Sequence, residues 1–96
     1  MKRTRQLLER AAQRLDLPAE VLAGLPRVEL VGFGQLTVEH HRGILEYTDE
    51  AVTVAVPDGR VRVTGRRLTI HLMNHDYVMV RGALEHVALQ PEGRHD

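Results

Sequence analysis

Val52-Thr53-Val54-Ala55-Val56, Pro57-Asp58-Gly59, Arg60-Val61-Arg62-Val63-Thr64 is the stretch that decides the fold. Valines recur at every second position on both sides of a turn signal, and period two is the strand period that gathers them on one sheet face. Proline is pre-set for the second position of a tight turn, and glycine is free to take positive φ. Residues 51–56 are therefore expected to pair with residues 60–64 as a hairpin.

Working outward, the same alternation continues in both directions. Upstream, Val28 and Leu30 are separated from Leu36 and Val38 by the turn Gly32-Phe33-Gly34, which predicts another hairpin. His40-His41-Arg42-Gly43 is a polar break, Ile44 to Thr48 resumes a strand, and Asp49-Glu50 punctuates before Val52. Downstream, Gly65 allows a bend into Leu68, Ile70 and Leu72, and Asn74-His75-Asp76 makes a turn. Val78, Val80 and Gly82 follow, and a last strand carries Val87 and Leu89. Counted this way there are eight short strands. A weak repeat relates Val61, Val63, Gly65, Ile70 and Leu72 to Val78, Val80, Gly82, Val87 and Leu89, seventeen residues on. Stacked solenoid rungs would need three or more copies, so an antiparallel sandwich is the favoured architecture. Tyr77 and Met79 make one strand apolar on both faces, which predicts cover by an N-terminal helix or by a second copy of the chain.

That helix is predicted over residues 3–16, where Leu7, Leu8, Ala11, Ala12 and Leu15 form a stripe opposite Arg3, Arg10, Gln13 and Arg14. Asp16-Leu17-Pro18 interrupts it, and Gly24 and Pro26 end a short helical turn. The expected organisation is a helical arm over 1–24, a β-sandwich over 25–90 and a polar tail over 91–96. The arm is locally basic, and Arg5, Arg10 and Arg14 are candidates for contact with a partner or an anionic membrane surface.

A 96-residue chain forms one domain with a modest core. Net charge is zero, which argues against binding nucleic acid by overall attraction. There is no cysteine and no apolar run long enough to span a membrane, and a cytoplasmic chain is expected. Twelve of the thirteen basic residues are arginine, a bias that codon composition explains as well as selection for bidentate binding does.

Chemistry-bearing patterns are weak. His40-His41, His71, His75 and His86 invite a metal, but His71-x-x-x-His75 falls on a strand and a turn rather than on a helix, so no metal site is expected. Serine and cysteine are both absent, Asp49, Glu50 and Asp58 belong to turns, and the chain is not expected to be an enzyme. Gly32-Phe33-Gly34 lacks the following helix that would supply a phosphate nest. Arg60, Arg62, Arg66, Arg67 and Arg81 could form a nucleic-acid or phosphate site, or could be cross-strand partners of Glu39, Glu46, Glu50 and Glu85. Stacking aromatics are few, and the likeness of a helix plus a small β-meander to Sm-like RNA-binding rings is one of architecture alone.

Leu25-Pro26-Arg27-Val28-Glu29-Leu30 and the run from Gln35 through His40-His41-Arg42-Gly43-Ile44-Leu45-Glu46-Tyr47 to Thr48 carry a resemblance. So do Gly59, Val61, Val63, Gly65, Leu68, Ile70, Val80, Gly82 and Leu84. In these residues the chain resembles the YabP/YqfC family of sporulation proteins, and the YqfC branch most closely; His40 stands where that branch often has Asn. The resemblance implies an immunoglobulin-like sandwich without cofactor, made in the mother cell and needed for assembly of the spore envelope. It implies no reaction, and it makes a membrane protein at the forespore outer membrane the expected partner. His41, Arg42 and Tyr47, from the most specific segment, join Arg5, Arg10 and Arg14 as partner-binding candidates.

Overall fold

The computed structural model describes residues 24–92, which form one six-stranded antiparallel sheet. β1 (Arg27–Val31) and β2 (Gln35–Glu39) make one hairpin, and β3 (Ile44–Tyr47) and β4 (Ala51–Val56) make a second. β5 (Gly59–Met73) and β6 (Tyr77–Pro91), 15 residues each, make a third. The strand order β1-β2-β6-β5-β4-β3 puts the long hairpin at the centre with a short one on each flank. The expected helical arm, with Arg5, Arg10 and Arg14, lies outside the described residues.

Six strands replace the eight expected from the sequence, because β5 and β6 run straight through Gly65 and Gly82. Pairing between them shifts register at Thr64/Gly65, Arg66/Thr69 and Ile70/Leu72. Such bulges bend a strand while letting its ladder resume. At both glycines the neighbouring backbone leaves no room for a Cβ. A Cβ on Gly65 would overlap the Ala83 carbonyl oxygen, and one on Gly82, whose φ is 143°, would lie 2.7 Å from the Arg67 carbonyl oxygen. The repeat in the sequence is this bend made twice, once by each of two antiparallel neighbours.

The bend folds the sheet into two layers. The first holds β1, β2, residues 77–81 of β6 and residues 69–73 of β5; the second holds β3, β4, residues 59–64 of β5 and residues 86–91 of β6. Leu36, Val38, Val78 and Val80 from the first and Val52, Val54, Val61 and Val63 from the second join Leu68, at the bend, in one buried cluster. Each contributes ~1.5–3 kcal/mol by leaving water. Both short hairpins are tied to the corner by their turns. Leu68 N–H donates to the Asp49 carbonyl at 2.8 Å and Gly65 N–H to that of Glu50 at 3.0 Å. On the other side, Gly82 N–H donates to Gly34 at 3.1 Å and Leu84 N–H to Phe33 at 2.9 Å.

The hairpin that decides the fold pairs as its alternation requires, from Ala51↔Thr64 to Val56↔Gly59. Positive φ falls on Asp58, at 66°, rather than on the following glycine. Aspartate tolerates the left-handed region better than most residues do.

Gly65→Ala is expected to lower stability by about 1–3 kcal/mol, the usual range for forcing atoms into a filled site. Gly24→Ala, with nothing within 4 Å of its would-be Cβ, is the neutral control. Urea midpoints of the two variants check this, and equal midpoints would refute the close approach.

Candidate functional site

Within the most specific segment of the sequence, Glu39 to Thr48, residues 40–43 are the crossover that carries the chain from β2 in the first layer to β3 in the second. Its backbone is held at both ends. His40 N–H donates to the Asp76 carbonyl at 2.7 Å, Arg42 N–H to Ala55 at 2.6 Å, and Ala55 N–H returns to Gly43 at 2.8 Å. His40 and Gly43 have φ of 62° and 116°, so Gly43 supplies the conformation expected of a turn glycine.

His41 is the pin of this crossover. Its Nδ1 accepts the Gly43 N–H at 2.9 Å, which leaves Nε2–H to donate to the Asn74 carbonyl at 2.7 Å. That pair of bonds engages both ring nitrogens and leaves neither for a ligand. The carbonyl it reaches belongs to an ordered turn, because Asn74 Oδ1 accepts the N–H groups of Asp76 and Tyr77 at 2.7 and 2.9 Å. The Arg42 side chain, by contrast, is exposed.

Tyr47 lies at the other end of β3. Its hydroxyl accepts the Ile70 N–H at 3.3 Å, on the part of β5 that β4 does not cover. Arg42 is bonded to Ala55 and Tyr47 is paired with Val52, so the strand separates the two residues. The three candidates His41, Arg42 and Tyr47 do not converge; two hold the layers together and Arg42 faces solvent.

The arginines are also dispersed. Arg60 and Arg62 lie in the second layer, Arg81 in the first, and Arg66 and Arg67 at the bend. Arg62 Nε meets Glu46 Oε1 at 3.1 Å and Arg66 Nε meets Glu85 Oε2 at 3.2 Å. Arg81 donates to Gln35 Oε1 at 3.2 Å. The Arg62 hydrogen bond first, and the Thr53 hydroxyl second, hold the Glu46 carboxyl below its ordinary range. Among the described residues no three His, Asp or Glu side chains group as metal ligands. His71 lies beside Arg81, while His86 pairs with Thr64 in the other layer.

What the surface does concentrate is apolar area along the β1 hairpin. Leu25, Leu30 and Val31 are exposed, and Phe33, at the turn, is 87% exposed. Beside them runs a seam between β1 and residues 84–91 of β6, where neither strand has a further partner. It opens into a cleft of about 470 Å³ between Pro26 and Val28 on one wall and Val61, Leu89 and Pro91 on the other. A second hollow of about 290 Å³ adjoins Leu30, Phe33, Leu84 and Val87. The sequence reading treated Gly32-Phe33-Gly34 only as a turn. The available signal was an aromatic placed where turn chemistry asks for none.

A bent six-stranded antiparallel sheet with an open apolar seam and dispersed charges defines, among the described residues, a mainly β protein. The model of the YabP family matches residues 24–96, and the chain belongs to that family. It is similar to "Uncharacterized protein YqfC" of Bacillus subtilis (strain 168), 27% identical over 71 residues, which cover 74% of this chain and 76% of the relative. No solved structure matches.

His41→Ala is expected to cost about 1–3 kcal/mol, because it orphans the Asn74 carbonyl and the Gly43 N–H. Arg42→Ala is expected to stay within about 0.5 kcal/mol of the parent. Thermal or urea unfolding of the two variants separates a structural pin from a surface residue, and equal losses would contradict these assignments.

Proposed function

We propose that this chain is a non-catalytic protein-binding module of spore-envelope assembly. It acts in the mother cell at the forespore outer membrane by docking on a membrane protein. Membership of the YabP family, together with the family resemblance of the Glu39–Thr48 segment, supports the sporulation setting. The observation that carries the binding mode is the exposed β1 hairpin, with Val31 and Phe33 standing clear of the core at its turn. Apolar side chains held out on a rigid turn are the usual anchors of a partner interface. In this reading Arg42 is a polar contact at the far side of the sheet, and the immunoglobulin-like sandwich that the resemblance implies would be built from one sheet, with β5 and β6 shared between its layers. Among the described residues no helix is long and apolar enough to cross a membrane.

The test is immunoprecipitation of the full-length chain from detergent-solubilised sporulating cells. Wild type is compared with a Val31→Thr, Phe33→Ser double variant and with Arg42→Ala, all shown to be folded by circular dichroism. Recovery of one membrane protein by wild type, falling about tenfold or more in the hairpin variant, is the expected result; a loss of ~1.4 kcal/mol is enough for that factor. Equal recovery by both variants would overturn the hairpin as the docking surface. Recovery of nucleic acid in place of protein would move the function to the arginines.

A further inference from the structure

The seam between β1 and the distal half of β6 is an unfinished part of the core. By register, Leu30 continues the buried row of Leu36 and Val80, and Leu89 continues that of Val54 and Val61. Both point to the inside of the fold, yet Leu30 is 52% and Leu89 69% exposed. Inward apolar side chains left this open call for a cover of matching shape and chemistry.

We propose that residues 3–16 of the same chain supply it, laying the Leu7, Leu8, Ala11, Ala12 and Leu15 stripe along the seam over Val28, Leu30, Val87 and Leu89. The chain enters the described fold at the mouth of the cleft, since Pro26 is part of its wall. Fourteen residues of helix span ~21 Å. Residues 26–33, which flank the seam, span about 26 Å when extended. The connecting residues 17–23 reach ~10 Å as the short helical turn expected from the sequence and up to ~25 Å extended, and either length lets the helix turn back along β1. Charge agrees in sign: residues 1–23 carry five basic and three acidic side chains, residues 24–92 seven basic and nine acidic. Asp58 and Glu92, whose backbones are bonded to each other at 2.9 Å, stand at the cleft end of the seam. A second copy offers the same stripe, but a seven-residue tether holds the chain's own arm at millimolar effective concentration. This inference stands apart from the hairpin interface above, because it concerns the inner face of β1 and not the exposed turn.

The natural chain has no cysteine, so engineered pairs report without background. The full-length Leu8→Cys, Leu89→Cys variant is treated with a short bismaleimide and resolved on a denaturing gel. Two controls move one member of the pair. Arg10→Cys with Leu89→Cys uses the polar side of the arm, and Leu8→Cys with Met79→Cys uses the outer face of the sheet. The expected result is a cross-linked monomer formed roughly tenfold faster than in either control, as tethering in register requires. Cross-linked dimer as the main product, equal rates in all three pairs, or a preference for Met79 would each overturn the proposal. A second measurement does not depend on cross-linker reach. Maleimide labelling of a single Leu89→Cys variant is expected to speed up about tenfold when Leu7→Asp and Leu8→Asp are added, and an unchanged rate would count equally against it.

Discussion

The close approach of two backbones at Gly65 and Gly82 is the constraint on which the rest of this fold depends. β5 and β6 are hydrogen-bonded neighbours that must bend at the same place, and each passes the other where a Cβ would strike a carbonyl. Without that corner the 15-residue strands would lie flat, and the valines on their two ends would never face one another. With it, one sheet closes on its own inner face, and nine residues from both layers share a core. The short hairpins follow from the corner, since the turns at Asp49-Glu50 and Phe33-Gly34 terminate on the backbone of the bend itself.

Much of this was legible in the sequence, and the part that was not has a physical reason. Alternation and turn residues placed the hairpins of β1–β2 and β4–β5, because strand period and turn chemistry are local properties. From the sequence, Gly65 is a bend between two separate strands and Gly82 closes a third. A glycine that ends a strand and one that lets a strand bend while still paired look alike until the partner's carbonyl is known. The repeat of Val61, Val63 and Gly65 in Val78, Val80 and Gly82 was visible, but its meaning as a quasi-two-fold long hairpin needed the antiparallel register.

The candidate site shows the same division more sharply. The segment around His41, Arg42 and Tyr47 was singled out for function, yet His41 spends both ring nitrogens on holding the crossover, and Tyr47 caps a strand edge. A residue whose bonds are made to distant backbone atoms cannot be told from a binding residue by its neighbours in sequence. The most exposed large apolar side chain lies instead on the β1 hairpin, where Phe33 joins the turn to the bend through its carbonyl while its ring stands in solvent. The arginines illustrate the electrostatic version. Two of them are matched to Glu46 and Glu85 on the same surface, as cross-strand pairing allows, and such exposed pairs add little stability while neutralising the patch.

The measurement that bears most directly on this account is a methyl NOE spectrum of the full-length protein in solution. The bent sheet predicts cross-peaks between the two halves of the core, with methyls of Leu36, Val38, Val78 and Val80 reached from those of Val52, Val54, Val61 and Val63. Cross-peaks confined to each half, with strand contacts running through Gly65 and Gly82 but none between the layers, would describe a flat sheet and contradict it.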